Sequence, residues 1–84
     1  MENTRTQTSE YFAIYEAPHD RYFKGEYDDG CLIDVYFVTE AVKATHFNSI
    51  HRANNTIDEL TSRDPLLSLS VVKVETISKI SFIN

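Results

Sequence analysis

Alternating apolar and polar positions predict two strands early in the chain. In the segment EYFAIYEA, residues 10–17, Tyr11, Ala13 and Tyr15 alternate with Phe12 and Ile14. This two-residue period is typical of a strand. Pro18, His19 and Asp20 then supply turn-forming residues, and RYFKGEY, residues 21–27, resumes as a second strand. We therefore expect an antiparallel hairpin over these two segments.

A second turn and a third strand follow directly. The YDDG segment, residues 27–30, contains the Asp-Gly pair that tight hairpin turns favour, and CLIDVYFV, residues 31–38, alternates again. Cys31, Ile33, Val35 and Phe37 share one face of this strand. That face is the more apolar one, so we expect it to enter the core, with Cys31 as a small buried residue.

The segment KATHFNSIHRANNTIDEL, residues 43–60, contains the main helix. Apolar residues hold one helical stripe when the helix begins at Asn48, a favoured N-cap; they are Ile50, Ala53, Ile57 and Leu60. Asp64 should end the helix because Pro65 follows it. Thr39–Lys43 is predicted as a short separate turn.

The chain closes with β-branched residues that predict a strand over Leu69–Thr76. Residues 77–83 either extend this strand after a kink or form a separate edge strand. Residues 1–9 are polar after Met1 and are predicted to form a disordered N-terminal tail. The expectation is a single α+β domain over residues 10–84, in which a small antiparallel sheet (hairpin or meander plus the C-terminal strand) packs on one main α-helix.

Size and charge narrow the function classes. A chain of 84 residues buries a modest core, so we expect a partner or an oligomer, with a homodimer as one form. A single cysteine and the absence of a long apolar run predict a cytoplasmic protein with no membrane association. The net charge of -5 and the scattered basic residues argue against direct nucleic-acid binding.

No residue pattern specifies a chemistry. His46 and His51 are five residues apart, which places them on different sides of a helix, so they are not expected to share a metal ion. Cys31 could act as a nucleophile only with a base nearby, and its place on an alternating strand beside Leu32 and Ile33 favours a buried apolar role instead. We therefore predict no enzymatic activity, no cofactor and no metal site.

Carboxylates and tyrosines concentrate between residues 16 and 34, where Arg21 and Lys24 are the only cations. We expect one acidic and aromatic hairpin end, suited to a partner rich in Arg or Lys. The candidate partner-binding residues are Glu16, Asp20, Tyr22, Glu26, Tyr27, Asp28, Asp29 and Asp34.

The arrangement resembles small bacteriophage-encoded accessory proteins. Three matching features are the aromatic hairpin, the turn at Thr39–Lys43 and the closing Val71–Val74 strand. The fourth is an Ala-x-x-Phe-x-Ser element at the start of the helix, which consists of Ala44, Phe47 and Ser49 and is continued by Ala53 and Ile57. The resemblance implies a scaffold. It also makes an anti-CRISPR or other anti-defence role plausible, since such inhibitors commonly occupy a nucleic-acid-binding surface.

Two functional hypotheses follow. The first is a non-enzymatic, phage-encoded inhibitor in the host cytoplasm, which binds a basic, nucleic-acid-binding surface of a host defence protein, such as a CRISPR effector, through the acidic hairpin. The alternative is a homo-oligomer that binds a small ligand, such as a signalling nucleotide, between subunits. Its phosphate ligands would come from Arg21, Arg52, Arg63 and Lys73.

Overall fold

The computed structural model describes residues 3–83 of the chain. Its elements are strands β1 (Asn3–Glu16), β2 (Arg21–Asp28), β3 (Cys31–Val38) and β4 (Leu69–Phe82), helix α1 (Ile50–Arg63), and 3-10 turns at Ala17–His19 and Ala41–Lys43. The four strands form one antiparallel sheet in the order β3-β2-β1-β4. Apolar residues of α1 pack on one face of this sheet. The predicted α+β fold is confirmed, as is the short turn before the helix.

Strands β1 and β4 form a long two-stranded ribbon that extends beyond the rest of the sheet. They remain in register from the Asn3–Phe82 pair to the Glu16–Leu69 pair. Residues 3–9, predicted as a disordered tail, are therefore a strand, and residues 77–82 continue β4 without a break. Met1 and Glu2 lie outside the described residues. We predicted a tail because this segment has no apolar side chain after Met1. It forms a strand nevertheless, since its backbone pairs with β4 and threonine favours strands.

The joint between β1 and β2 is short. Only Tyr15 and Glu16 of β1 have partners in β2. Beyond them the segment Thr45–Phe47 lies between the two strands: Phe12 and Phe47 exchange backbone hydrogen bonds of 3.0 and 2.8 Å, and the Thr45 amide donates to the Phe23 carbonyl at 3.0 Å. This loop segment therefore completes the middle of the sheet.

The core face of β3 differs from the prediction. Glu26 lies opposite Asp34 and Tyr27 lies opposite Leu32, which leaves Ile33 as an extra residue without a partner. Such a bulge reverses the alternation on one side of it. Leu32 is consequently buried, whereas Ile33 is 60% exposed and Cys31 is exposed. The predicted burial of Cys31 and Ile33 is wrong for this reason.

Helix α1 begins one residue later than predicted. Ser49, rather than Asn48, is the N-cap, and its side chain accepts a hydrogen bond from the Arg52 amide at 3.2 Å. Ile50 is then exposed in the first turn, which corrects its assignment to the core. The C-terminal end is as predicted, because Asp64 is the C-cap residue.

The core is built around Phe23 and Phe47, two aromatic residues that lie outside the predicted helical stripe. Phe23 and Phe47 have ring centroids 6.4 Å apart. They join the other buried members of the cluster, which are Ile14, Leu32, Ala53 and Leu60. Gly25 allows this packing, since a Cβ there would lie 2.7 Å from Phe23 Cζ and 2.8 Å from Leu32 Cδ1.

We expect Gly25→Ala to lower the free energy of unfolding by about 1–3 kcal/mol, because the added methyl group overpacks a closed core. Urea denaturation measures the change. Gly30→Asn is the control: Gly30 has φ 81°, nothing lies within 4 Å of its Cβ position, and asparagine tolerates this conformation. Equal stability of Gly25→Ala and the unmodified chain would show that the core has room at this point.

Candidate functional site

The predicted acidic surface is divided between the two ends of β2. Glu16, Asp20 and Tyr22 lie at the β1–β2 turn, where β2 begins. The other five candidates lie at the β2–β3 turn, where β2 ends; they are Glu26, Tyr27, Asp28, Asp29 and Asp34. Eight residues of extended strand separate the ends by about 25 Å. The expectation of one acidic end thus missed that β2 takes part in two hairpins.

Glu16 is a buried structural residue rather than part of an exposed surface. Its side chain is 2% exposed, and its carboxylate accepts hydrogen bonds from Arg21 Nε at 2.9 Å and Arg21 Nη2 at 3.0 Å. His19 Nδ1 also contacts it. The Arg21 guanidinium lies over the Phe37 ring, 4.1 Å from its centroid. The hydrogen bonds from Arg21 hold the pKa of Glu16 below its usual value, against the opposing effect of burial.

Asp20 and Tyr22 stand beside this cluster at the exposed turn. Asp20 adopts φ 50° and accepts a hydrogen bond of 2.7 Å from the Tyr15 hydroxyl. This bond to a carboxylate raises the pKa of Tyr15. The Tyr15 and Tyr22 rings are 5.1 Å apart. The contacts of Asp20 thus organise the local turn.

The β2–β3 end carries the concentrated negative charge. We name Glu26, Tyr27, Asp28, Asp29 and Asp34 the acidic tip; all five residues are exposed. Within residues 3–83, no Lys, Arg or His nitrogen lies within 4.0 Å of its carboxylates. The tip is therefore free to meet cations from outside the chain.

Tyr36 connects two of these carboxylates. Glu26 and Asp34 are direct cross-strand partners, and the Tyr36 hydroxyl lies 3.3 Å from Glu26 Oε2 and 3.1 Å from Asp34 Oδ2. The hydrogen bond to Asp34 is the main reason that the pKa of Tyr36 is raised. Tyr36 is not among the eight candidate partner-binding residues, although its position two residues after Asp34 places both side chains on one face of a strand.

Tyr27 joins the acidic tip to the helix. It lines a surface groove of about 340 Å³ with His46, Arg52, Asn55 and Thr56. Burial in this groove, together with the nearby Glu59 carboxylate, raises the pKa of Tyr27. This groove thus lies between Tyr27 of the acidic tip and the first half of α1.

The basic residues proposed as phosphate ligands do not form a common site within one chain. Arg21 is bound to Glu16, Arg63 to Glu59, and Lys73 to Glu10 and Glu75. Only Arg52 lines a groove without such a carboxylate partner among residues 3–83. Three of the four candidates are therefore already neutralised by acidic neighbours.

Histidine and cysteine occupy separate places. The His46 ring stacks on Tyr11 at 3.6 Å between centroids, and His51 lies in the first turn of α1 beside Asn55. Within the described part of the chain, no three side chains of His, Cys, Asp or Glu are arranged to hold a metal ion. Over the same residues, no helix is long and apolar enough to cross a membrane.

Comparisons with protein-family models, with curated proteins and with solved structures return no match for this chain.

The buried Glu16 predicts a specific acid sensitivity. Because its folded-state pKa lies below the ordinary value of 4.5, its stabilising contribution is complete above that pH and is lost as the pH falls through the folded-state pKa. Glu16→Gln should therefore reduce the loss of unfolding free energy below pH 4.5. Urea denaturation at a series of pH values measures this slope.

Glu40→Gln is the matched control, since Glu40 is an exposed carboxylate whose removal should leave the slope nearly unchanged. If Glu16→Gln and the unmodified chain lost the same unfolding free energy below pH 4.5, Glu16 would not be the source of the acid sensitivity.

Proposed function

We propose that this protein is a non-enzymatic binding module that engages a basic protein surface through the acidic tip. The resemblance to phage accessory proteins favours one class of partner, a host defence protein whose basic surface binds nucleic acid. In this proposal the carboxylates take the place of phosphates on that surface, and binding inhibits the partner.

The observation that carries the proposal is a group of exposed carboxylates that no cation among residues 3–83 contacts. Glu26, Asp28, Asp29 and Asp34 are exposed and have no ion-pair partner among residues 3–83. Most other acidic residues among residues 3–83 contact a cation, as Glu10 on β1 contacts Lys73 and Glu59 in α1 contacts Arg63. Exposed carboxylates without an ion-pair partner are available for charge-assisted hydrogen bonds to the Arg or Lys side chains of another protein.

The cross-strand pair of Glu26 and Asp34 adds independent support. Like charges directly opposite each other destabilise a sheet, and neither residue packs in the core. The hydrogen bonds of this pair within the chain are local: both carboxylates share the Tyr36 hydroxyl, and Asp34 also accepts one from the Val35 amide at 3.2 Å. A binding role accounts for an arrangement that costs stability. Tyr27 and Tyr36 supply rigid contact area beside the charges.

Neutralising the tip should abolish partner binding without unfolding the domain. The test variant is Asp28→Asn with Asp29→Asn, because Asp29 adopts φ 52° and asparagine tolerates this backbone conformation. Immobilised protein is exposed to bacterial lysate at low and high salt. We expect the unmodified chain to capture basic, nucleic-acid-binding proteins that dissociate at high salt, and the variant to lose them.

The matched control removes two charges elsewhere, through Glu40→Gln and Asp58→Asn, and should capture the same proteins as the unmodified chain. A captured protein is then tested for nucleic-acid binding, which should fall as the module is added. Equal capture by the tip variant and the control, or nucleic-acid binding that is unaffected by the module, would refute the proposal.

A further inference from the structure

The distal half of the β1–β4 ribbon lacks the neighbours that usually stabilise strands. Residues 3–9 pair only with residues 76–82, and β4 is the outermost strand of the sheet along its whole length. Two-stranded ribbons are marginal in water. The structure measures 57 × 31 × 20 Å, with a radius of gyration of 16.2 Å, whereas a compact chain of this length has about 12 Å.

Apolar residues are exposed on this half of β4. Ile77 is 71% exposed, Phe82 is also exposed, and so is Ile83, which directly follows the strand. The opposite edge of the sheet is protected by the bulge at Ile33, whereas β4 has no bulge and stays in register with β1 throughout. The outer edge of β4 thus offers free backbone groups to a further strand.

We propose that this edge binds the same edge of a second copy of the chain, antiparallel, about a two-fold axis beside Ile77. The two sheets then form one sheet of eight strands with both helices on the same side. Such an isologous contact requires that β4 be complementary to its own reverse. The opposed residues are Val72 with Phe82, Val74 with Ile80, Glu75 with Lys79, Thr76 with Ser78, and Ile77 with itself.

This register matches apolar with apolar and acid with base. Each Glu75 meets the Lys79 of the second copy, and this happens twice because of the symmetry. Lys73 already lies between Glu10 and Glu75, so two carboxylates share one cation within the chain. Lys79 has no carboxylate within 4.0 Å among residues 3–83 and can supply the second cation.

Neighbouring registers are worse. Centring the contact on Glu75 would set that residue opposite itself, and centring it on Thr76 would set Lys73 opposite Lys79. Centring it on Val74 would bring Lys73 opposite Glu75 but leave Ile80 and Phe82 beyond the paired region. Only the axis at Ile77 satisfies both the charges and the exposed apolar residues of β4.

Charge exchange tests the contact in the intact chain. Sedimentation equilibrium should give twice the mass of one chain. Glu75→Lys and Lys79→Glu should each weaken dimerisation roughly 10-fold at low salt, because two attractive pairs become repulsive, and the double exchange should restore it. Glu40→Lys is the matched control, since the Glu40 side chain is 59% exposed and that of Glu75 is 60% exposed. A monomeric unmodified chain, or a double exchange no better than the single variants, would overturn the proposal.

Cross-linking tests the register itself. In a Cys31→Ser background, Ile77→Cys should form a disulfide-linked dimer on mild oxidation, because the two residues face each other across the axis. Ser78→Cys is the control, since it faces Thr76 of the second copy and should remain unlinked. Equal cross-linking at both positions would refute this register. The acidic tip is unchanged in all these variants, so their outcome is independent of the proposed function.

Discussion

The fold depends on a narrow seam between two antiparallel pairs of strands. One pair is β1 with β4 and the other is β2 with β3, and between them only two residue pairs connect β1 to β2. The segment Thr45–Phe47 fills the rest of the seam with backbone hydrogen bonds to Phe12 on one side and to Phe23 on the other. Phe47 also enters the core, so one residue both pairs with the sheet and packs beneath the helix.

The seam also separates the charges of the molecule. The segment Thr45–Phe47 lies between β1 and β2 and keeps the two strands apart beyond their two paired residues. The carboxylates of the β2–β3 hairpin therefore lie at a distance from β1 and β4. The distal ribbon contains Arg5 and Lys79 and no acidic residue within residues 3–9 and 76–82. The domain thus has an acidic tip and a weakly basic distal half of the ribbon, although the net charge of the chain is -5.

The two proposals use these two regions separately. The tip offers unpaired carboxylates to a basic partner, whereas β4 offers a free edge to another copy. In the proposed dimer each chain keeps its own tip, and two tips on one rigid sheet would strengthen binding to a partner with repeated basic sites. The ion pair of Glu16 and Arg21, by contrast, stabilises the fold. It lies at the end of the seam, and its buried Glu16 carboxylate is unavailable to a partner.

The sequence by itself determined the helix, the turns and the strand segments over residues 10–16, 21–28, 31–38 and 69–76, because local alternation, capping residues and Asp-Gly chemistry are properties of short segments. It also located the negative charge between residues 16 and 34. Tertiary structure decided the rest. The bulge at Ile33 turned Cys31 and Ile33 away from the core while Val35 and Phe37 kept their predicted face, and the position of Ser49 moved Ile50 out of the core.

The strand over residues 3–9 depends on its distant partner, residues 76–82, so no local pattern could reveal it. The division of the acidic residues, by contrast, follows from the two predicted hairpins, since β2 takes part in both and their turns lie at its opposite ends. Side-chain periodicity is read within a segment, whereas strand pairing and burial arise between segments. For that reason the locally patterned elements of this protein were predictable, whereas the pairing of residues 3–9 with residues 76–82 was not.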